Sequence, residues 1–232
     1  MGKDVIIACD FSSRKALTDF LSKFGERRPF LKIGMELFYA EGPSIVRELK
    51  EKGYKIFLDL KLHDIPNTVK KAMSVLSSLD VDMCNVHAGG TSKMMSAAIE
   101  GLTREDGTRP LLIAVTQLTS TDQETMEKDL LIKEPIDEVV MHYAYTAKES
   151  GLDGVVCSPL EAGKVHDRCG KSFVTVTPGV RFADGDVGDQ KRVTTPEKAK
   201  ELGSDYIVVG RPITASDDPI KAYDRCVAEF VG

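Results

Sequence analysis

Eight short apolar runs alternate with amphipathic stretches along the chain, and this alternation limits the possible folds more than any other feature. The runs are rich in Val, Ile, Leu or Phe with little polar alternation, which is typical of parallel strands covered on both faces. The predicted strands are Val5–Cys9, Phe30–Met35, Lys55–Leu60, Met83–His87, Leu111–Leu118, Gly154–Cys157, Phe173–Thr177 and Tyr206–Gly210. The predicted helices are Ser13–Phe24, Pro43–Lys52, Pro66–Ser77, Ser92–Leu102, Ile136–Ser150, Leu160–Arg168, Pro196–Leu202 and Pro219–Phe230.

The number and spacing of these strand–helix units favour an α/β protein with a closed (β/α)8 barrel, the TIM barrel. The chain has 232 residues, and a barrel of this kind typically needs ~250. A doubly wound open sheet is the rival, but it usually carries a G-x-G-x-x-G turn after its first strand. Here that strand is followed by Asp10-Phe11-Ser12, without such a turn. No linker divides the chain, so we expect a single (β/α)8 barrel domain over residues 1–232.

Composition and charge argue against several classes of protein. The net charge of −5 is unlike that of a nucleic-acid binder, which normally carries a basic stripe. The first apolar stretch ends at Cys9-Asp10, too soon for a signal peptide or a membrane span. The five cysteines include no C-x-x-C pair, so reduced thiols in the core are expected. We therefore expect a cytoplasmic protein with no nucleic-acid or membrane partner.

Two connections are longer than is usual between neighbouring elements of a compact domain. Thr119–Glu134 follows the fifth strand and Gly179–Thr195 follows the seventh. Both leave the carboxyl ends of strands, the face on which barrel enzymes carry their chemistry. The second is rich in Gly, Asp and charged residues, so we interpret it as a lid over the site, with a solvated insertion as the alternative.

The run from Asp59 to Asp64 at the end of the third strand is the strongest candidate for a reaction centre. Asp59 and Lys61 are two residues apart, so on a strand they point to the same side, and Asp64 can bring a second carboxylate close to the same ammonium. Flanking carboxylates favour the charged form of Lys61, which makes it a proton donor and not a Schiff-base nucleophile. A structural salt bridge at a strand end is the alternative for this motif alone.

Further charges are predicted at the ends of the first two strands. Lys32 lies within an apolar strand, where an unpaired ammonium would be costly, and Asp10 on the neighbouring strand is its natural partner. With Asp59 and Lys61 they would form an array of alternating charge across three adjacent strands. Polar residues also end the fourth and fifth strands, at 85–87 and 116–119. A single functional site explains these four charges better than four unrelated structural roles would.

The seventh and eighth strands end in Gly-Arg elements that suggest an anion site. Thr177-Pro-Gly-Val-Arg181 and Val208-Val-Gly-Arg211 each place a glycine N–H and an arginine after a strand. In barrels, the loops after these two strands often bind phosphate. Each element is weak alone, because glycine often only makes a turn, but together they predict a phosphate site.

These residues together strongly resemble the orotidine 5'-monophosphate decarboxylase family of the bacterial type, along essentially the whole chain. The D-x-K-x-x-D run is shared with a wider superfamily, so the combination of matches carries the resemblance. The matching segments are 9–10, 31–35, 57–68, 85–89, 114–120, 177–181, Gln190 and 209–213.

The resemblance implies decarboxylation of orotidine 5'-monophosphate to UMP, the last step of de novo UMP synthesis, with no metal and no organic cofactor. By this analogy Lys61 protonates C6 as carbon dioxide leaves, and Asp59 lies against the substrate carboxylate. Asp64, Ile65 and Thr68 would project into the active site of a partner subunit, which implies a homodimer.

The resemblance also assigns the contacts to the substrate. Thr119 would contact the pyrimidine, although Ser120 is a close substitute in this register. The remaining contacts would be Asp10 and Lys32 to the ribose hydroxyls, Gln190 bridging base and phosphate, and Arg181, Gly210 and Arg211 to the phosphate.

Two other functions remain as alternatives. The first is the sister activity, a magnesium-dependent decarboxylase or aldolase of a sugar phosphate. Members of that branch place a metal-binding glutamate where this chain has Lys32, whose charge would repel a divalent cation. The second is a non-catalytic barrel that senses UMP, which would be expected to lack Lys61 or one of its carboxylates.

Overall fold

Eight parallel strands close into one barrel in the computed structural model, which describes residues 3–183 and 194–232. The strands are β1 (Asp4–Ala8), β2 (Phe30–Gly34), β3 (Ile56–Leu62), β4 (Met83–His87), β5 (Leu111–Val115), β6 (Gly154–Val156), β7 (Val174–Thr177) and β8 (Tyr206–Val209). Each strand pairs with the next along the chain, and β8 returns to β1 through the register Ile6↔Val208. The predicted (β/α)8 barrel is therefore confirmed.

Eleven α-helices connect these strands within the described residues. They are α1 (Arg14–Ser22), α2 (Met35–Glu41), α3 (Pro43–Glu51), α4 (Pro66–Ser77), α5 (Thr91–Leu102), α6 (Gln123–Asp129), α7 (Ile136–Glu149), α8 (Pro159–Cys169), α9 (Pro196–Glu201), α10 (Arg211–Thr214) and α11 (Pro219–Phe230). The bounds of α4 and α11 are those predicted, and the other predicted helices differ by a few residues at their ends. None of these helices combines the length and apolar character needed to cross a bilayer.

Local sequence chemistry explains where the well-predicted helices begin. Pro66 and Pro219 occupy first-turn positions, where the missing N–H costs no hydrogen bond. The side chain of Asp218 accepts a hydrogen bond from the Lys221 N–H at the start of α11. Ser158 and Glu161 form a capping box at the start of α8. These signals are readable in the sequence, so the helices they begin were predicted correctly.

Three helices were not predicted, α2, α6 and α10. They have seven, seven and four residues, and each buries one side chain, Leu37, Met126 or Ile213, so none presents the apolar stripe that marks a longer helix. Because α6 lies inside the predicted loop Thr119–Glu134, that connection is partly helical.

The predicted lid, Gly179–Thr195, lies largely outside the described residues, because residues 184–193 are not described. Its two ends meet beside the barrel. Val180 forms an isolated parallel bridge with Thr194, and the Arg181 N–H donates to the Thr194 carbonyl at 2.9 Å. A lid function stays a prediction.

One apolar layer fills the barrel interior and a second lies between the strands and the helices, while polar groups occupy the carboxyl end of the barrel. The barrel interior is filled by side chains such as Ile6, Phe57, Met83 and Ile113. Leu58 and Leu60 belong to the outer layer between strands and helices, and Leu62 packs against it, because alternate side chains of a strand point to opposite faces. Because Phe57 faces inward, Asp59, two residues further along β3, extends the interior column toward the site.

Candidate active site

Four charged side chains meet at the carboxyl ends of β1, β2 and β3. The ammonium of Lys32 lies 2.9 Å from Asp10 Oδ1 and 3.3 Å from Asp59 Oδ2. The ammonium of Lys61 donates to the other Asp59 oxygen, Oδ1, at 2.6 Å. The predicted pairing of Lys32 with Asp10 and the predicted alternation of charge are both confirmed.

Burial and opposite charge set the ionisation of the two central members. Burial disfavours the ammonium of Lys32, but Asp59 and Asp10 outweigh it and hold the pKa of Lys32 above its usual range. Burial also disfavours the carboxylate of Asp59, but Lys32, Lys61 and Asn85 outweigh it and hold its pKa below the usual range. The two groups therefore keep each other charged inside the barrel.

The backbone of Lys61 adopts an unusual conformation that the sequence does not predict. Its φ is +52°, in the left-handed region that side-chain-bearing residues rarely adopt and that costs about 1–3 kcal/mol. The pairing of β3 with β4 shifts register between Leu58 and Leu62, so Lys61 lies in a bulge. The Lys61 N–H donates to the side-chain oxygen of Asn85 at 2.8 Å, and the Asn85 amide nitrogen donates to Asp59 Oδ1 at 2.7 Å.

Gly34 makes room for the array, a role that sequence reasoning missed. It pairs with Asp59 in the β2–β3 register. A methyl group at this position would lie 3.0 Å from Asp10 Oδ1 and 3.1 Å from Lys32 Nζ. The absence of a side chain at residue 34 is therefore what lets the Asp10–Lys32 pair occupy the space beside Asp59.

A cavity of about 610 Å³ opens onto the array. Asp10, Lys32, Asp59 and Lys61 line one part of it. Apolar side chains and the ends of β5 to β8 line the rest: Ala8, Phe57, Val115, Gln117, Leu118, Thr119, Ser120, Val156, Cys157, Pro178, Gly179, Arg181, Val208, Gly210 and Arg211. The structure thus brings the predicted phosphate residues and the predicted charge array to one cavity. Thr119 and Ser120 both line it.

Three of the predicted site residues lie away from this cavity. Asp64, Ile65 and Thr68 are exposed, and none of them lines the cavity. The carboxylate of Asp64 accepts from the N–H of Ile65 at 2.7 Å, and within the described chain no ion pair joins it to Lys61. A fourth predicted residue, Gln190, lies outside the described residues.

Two histidines lie beside the charge array. The rings of His63 and His87 have their centroids 5.8 Å apart. Burial lowers the pKa of His87, and the nearby His63 and Lys61 lower it further, while Asp59 raises it. His87 therefore lies close enough to Lys61 and Asp59 to respond to their charges. No group of three or more His, Cys, Asp or Glu side chains in residues 3–183 and 194–232 is arranged to hold a metal ion.

Fold and site together define a (β/α)8-barrel enzyme whose cavity joins an ammonium–carboxylate array to two arginines. The chain matches the family described as "Orotidine 5'-phosphate decarboxylase / HUMPS family" over residues 3–226, and it belongs to that family. It is 57% identical to a Bacillus cytotoxicus protein named orotidine 5'-phosphate decarboxylase, across 100% of this chain and 99% of the relative.

Solved structures agree in fold and in sequence. The crystal structure of orotidine 5'-phosphate decarboxylase from Lactobacillus acidophilus has a TM-score of 0.89 and 44% identity, covering 99% of this chain and 100% of that one. The crystal structure of an uncharacterized conserved protein from Geobacillus kaustophilus has a TM-score of 0.87 and 50% identity, covering 97% and 99% of the two chains. The resemblance seen in the sequence is thereby confirmed.

Proposed function

We propose that this chain decarboxylates orotidine 5'-monophosphate to UMP and carbon dioxide, and that Lys61 donates the proton to C6. The observation that carries the proposal is the Lys61 ammonium, held 2.6 Å from Asp59 Oδ1 in a cavity that also reaches Arg181 and Arg211. Family membership and the relatives named as this decarboxylase support the same activity. We propose residues 1–232 as one catalytic domain.

The proposed step needs no group beyond the side chains of the site. The bond between C6 and the carboxyl carbon breaks, and its electron pair stays on C6 while carbon dioxide leaves. The ammonium of Lys61 then transfers a proton to C6, and the resulting amine regains a proton from solvent. Asp59 keeps Lys61 in place and would lie against the departing carboxylate.

The charge of one lysine is too small to account for the lowering of the reaction barrier. A fixed ammonium ~4 Å from the developing charge is worth about 4 kcal/mol at an effective dielectric of about 20. Enzymes lower barriers by about 8 to 23 kcal/mol, so most of the effect must come from elsewhere. An array of fixed charges and binding energy from a remote phosphate are the proposed sources.

The remaining contacts follow the arrangement of the cavity. Lys32 and the half-exposed Asp10 are suited to the ribose hydroxyls, because both line the cavity and together offer a hydrogen-bond donor and an acceptor beside Asp59. Thr119, or its neighbour Ser120, would contact the pyrimidine. The proposed phosphate ligands are Arg181, Gly210 and Arg211, with Gln190 bridging base and phosphate.

We also propose a homodimer in which Asp64, Ile65 and Thr68 complete the site of the partner subunit. Support comes from their exposure, since Ile65 keeps 67% of its surface accessible, which is unusual for an isoleucine. A cytoplasmic location also remains a prediction. All five cysteines are buried free thiols, as a reducing compartment would allow.

The position of Lys32 separates the proposal from the magnesium-dependent branch of the family. Its ammonium lies between Asp10 and Asp59 and supplies the positive charge that a metal cation would otherwise bring to these carboxylates. The UMP-sensor alternative gains no such support, because Lys61 and Asp59 are both in place.

Turnover of orotidine 5'-monophosphate in the presence of EDTA tests all three functions. The decrease in substrate absorbance should proceed at the same rate with and without the chelator. Loss of activity in EDTA, restored by Mg²⁺, would favour the metal-dependent branch. Binding of UMP without any turnover would favour the sensor.

A further inference from the structure

The side chain of Asn85 contacts both Asp59 and Lys61 from the neighbouring strand. Asn85 lies on β4 and is 1% exposed. Its amide oxygen accepts from the Lys61 backbone N–H at 2.8 Å, and its amide nitrogen donates to Asp59 Oδ1 at 2.7 Å. Asp59 and Lys61 line the cavity but Asn85 does not, so Asn85 contacts these two residues without lining the cavity itself.

The contact with Lys61 replaces part of the strand ladder. From the pair Leu58↔Cys84 to the pair Leu62↔Val86, β3 advances four residues while β4 advances two. Residues 59–61 of β3 therefore lie opposite the single residue Asn85 of β4. Among them, Lys61 has a φ of +52°. The amide oxygen of Asn85 therefore provides the acceptor for the Lys61 N–H within this bulge.

The orientation of the Asn85 amide follows from its neighbours. If the amide were turned over, its oxygen would face the Asp59 carboxylate and its NH2 group would face the Lys61 N–H. Both contacts would then be repulsive. One orientation of one side chain thus fixes the backbone of Lys61 and the carboxylate of Asp59 together.

We propose that Asn85 is a positioning residue for decarboxylation, which holds the Lys61 ammonium and the Asp59 carboxylate where they can act on C6 of the substrate. This inference rests on the function proposed above and deepens it. The Asn85 side chain bonds to Asp59 and Lys61, the proposed catalytic pair, so its loss should affect kcat far more than KM. A purely structural asparagine would instead lower the stability of the fold and leave kcat of the folded enzyme unchanged.

The test compares Asn85→Ala with Thr175→Val, a matched control. Thr175 is also a fully buried polar residue on a strand, and it both donates to Asp205 and accepts from it, away from the cavity. We expect Asn85→Ala to lower kcat by about 100-fold, the scale of a small misplacement of reacting groups. KM and the affinity for UMP should stay close to wild type, and Thr175→Val should lose stability but keep its kcat.

The isosteric variant Asn85→Asp provides a second readout, which also serves if the alanine variant does not fold. At neutral pH its carboxylate would face that of Asp59, with Lys61, Lys32 and His87 as the other titratable groups nearby. Once protonated, it can accept from the Lys61 N–H and donate to Asp59 as the amide does. The ratio of its kcat to the wild-type kcat should therefore rise as the pH is lowered.

Four outcomes decide the inference. Wild-type kcat in Asn85→Ala, or a kcat ratio for Asn85→Asp that does not change with pH, would overturn the role of Asn85. An equal loss of kcat in Thr175→Val would overturn it too, since general loosening of the barrel would then explain the effect. Wild-type protein with no turnover of orotidine 5'-monophosphate would refute the proposed function itself, and this role with it.

Discussion

The ammonium of Lys32 lies 3.3 Å from Asp59 Oδ2, and the two side chains keep only 11% and 10% of their surface exposed. Charges this deeply buried are costly unless each has partners. Asp10 pairs with Lys32 on one side, and Lys61 pairs with Asp59 on the other. The stability of each charge therefore depends on the presence of the others.

Removing the central ammonium should destabilise the fold. In Lys32→Met the buried Asp59 loses one of its partners, so we expect the free energy of unfolding to fall by about 3 kcal/mol. Urea unfolding measures this change. Lys15→Met is the control, since it breaks the exposed pair with Asp19 and should change stability little. Equal losses in the two variants would contradict a buried, interdependent array.

Acid should remove the contribution of Asp59. Its folded pKa lies below the ordinary value of 3.8, so its stabilising effect is complete above that value and is lost as the pH falls through the folded pKa. The difference in unfolding free energy between wild type and Asp59→Asn should therefore be constant above about pH 5 and shrink toward pH 2. Urea titrations at several pH values measure it, and a difference that persists unchanged at pH 2 would show that the pKa of Asp59 is not lowered.

The pKa of His87 should report the charges of Lys61 and Asp59. Burial, His63 and Lys61 lower it from 6.5, and Asp59 raises it. NMR titration of the His87 ring should give a higher pKa in Lys61→Met and a lower pKa in Asp59→Asn than in wild type. Lys70→Met, which removes a charge paired with Glu100 on the outer helices, should leave it unchanged. Shifts of the same sign in both site variants would contradict the geometry.

The fold and the charge array could be predicted because they depend on short-range periodicity. The two-residue repeat of a strand places Asp59 and Lys61 on one side, and adjacent parallel strands bring Asp10 and Lys32 to the same end. Proline and capping residues fixed the starts of α4, α8 and α11 in the same way. Each of these signals lies within a few residues of the feature that it determines.

The features that were missed depend on register or on packing between strands. Nothing in the sequence near Lys61 signals a positive φ, because that conformation results from the offset between β3 and β4. The role of Asn85 follows from the same offset. The need for glycine at residue 34 appears only once Asp10 and Lys32 are placed around it. The proposed role of Asp64 depends on contacts with a second chain, which local sequence patterns do not describe.

A methyl group at residue 34 should disturb the site more than the fold. Gly34 has a φ of −91°, which alanine tolerates, but the added carbon would crowd Asp10 and Lys32. We expect Gly34→Ala to fold with nearly wild-type stability while its affinity for UMP, measured by calorimetry, falls. Gly163→Ala is the control, because its methyl would meet the Leu202 carbonyl oxygen at 3.3 Å, in α8 and away from the cavity. Wild-type affinity in Gly34→Ala would show that the Asp10–Lys32 pair does not contribute to binding.

Mixed dimers test whether Asp64 serves the partner's site. Asp64 is exposed and forms no ion pair with its own Lys61 in the described chain, so its proposed role requires a second subunit. Lys61→Ala and Asp64→Ala should each be nearly inactive alone. In a mixed dimer one site would carry both substitutions and the other neither, so random mixing should restore about a quarter of the sites.

A matched mixture of Lys61→Ala with Asp59→Ala should recover nothing, because both residues belong to the same site of the same chain. Recovery in neither mixture, with dimers confirmed by light scattering, would refute the shared site, since an Asp64 that acted within its own chain could not be complemented.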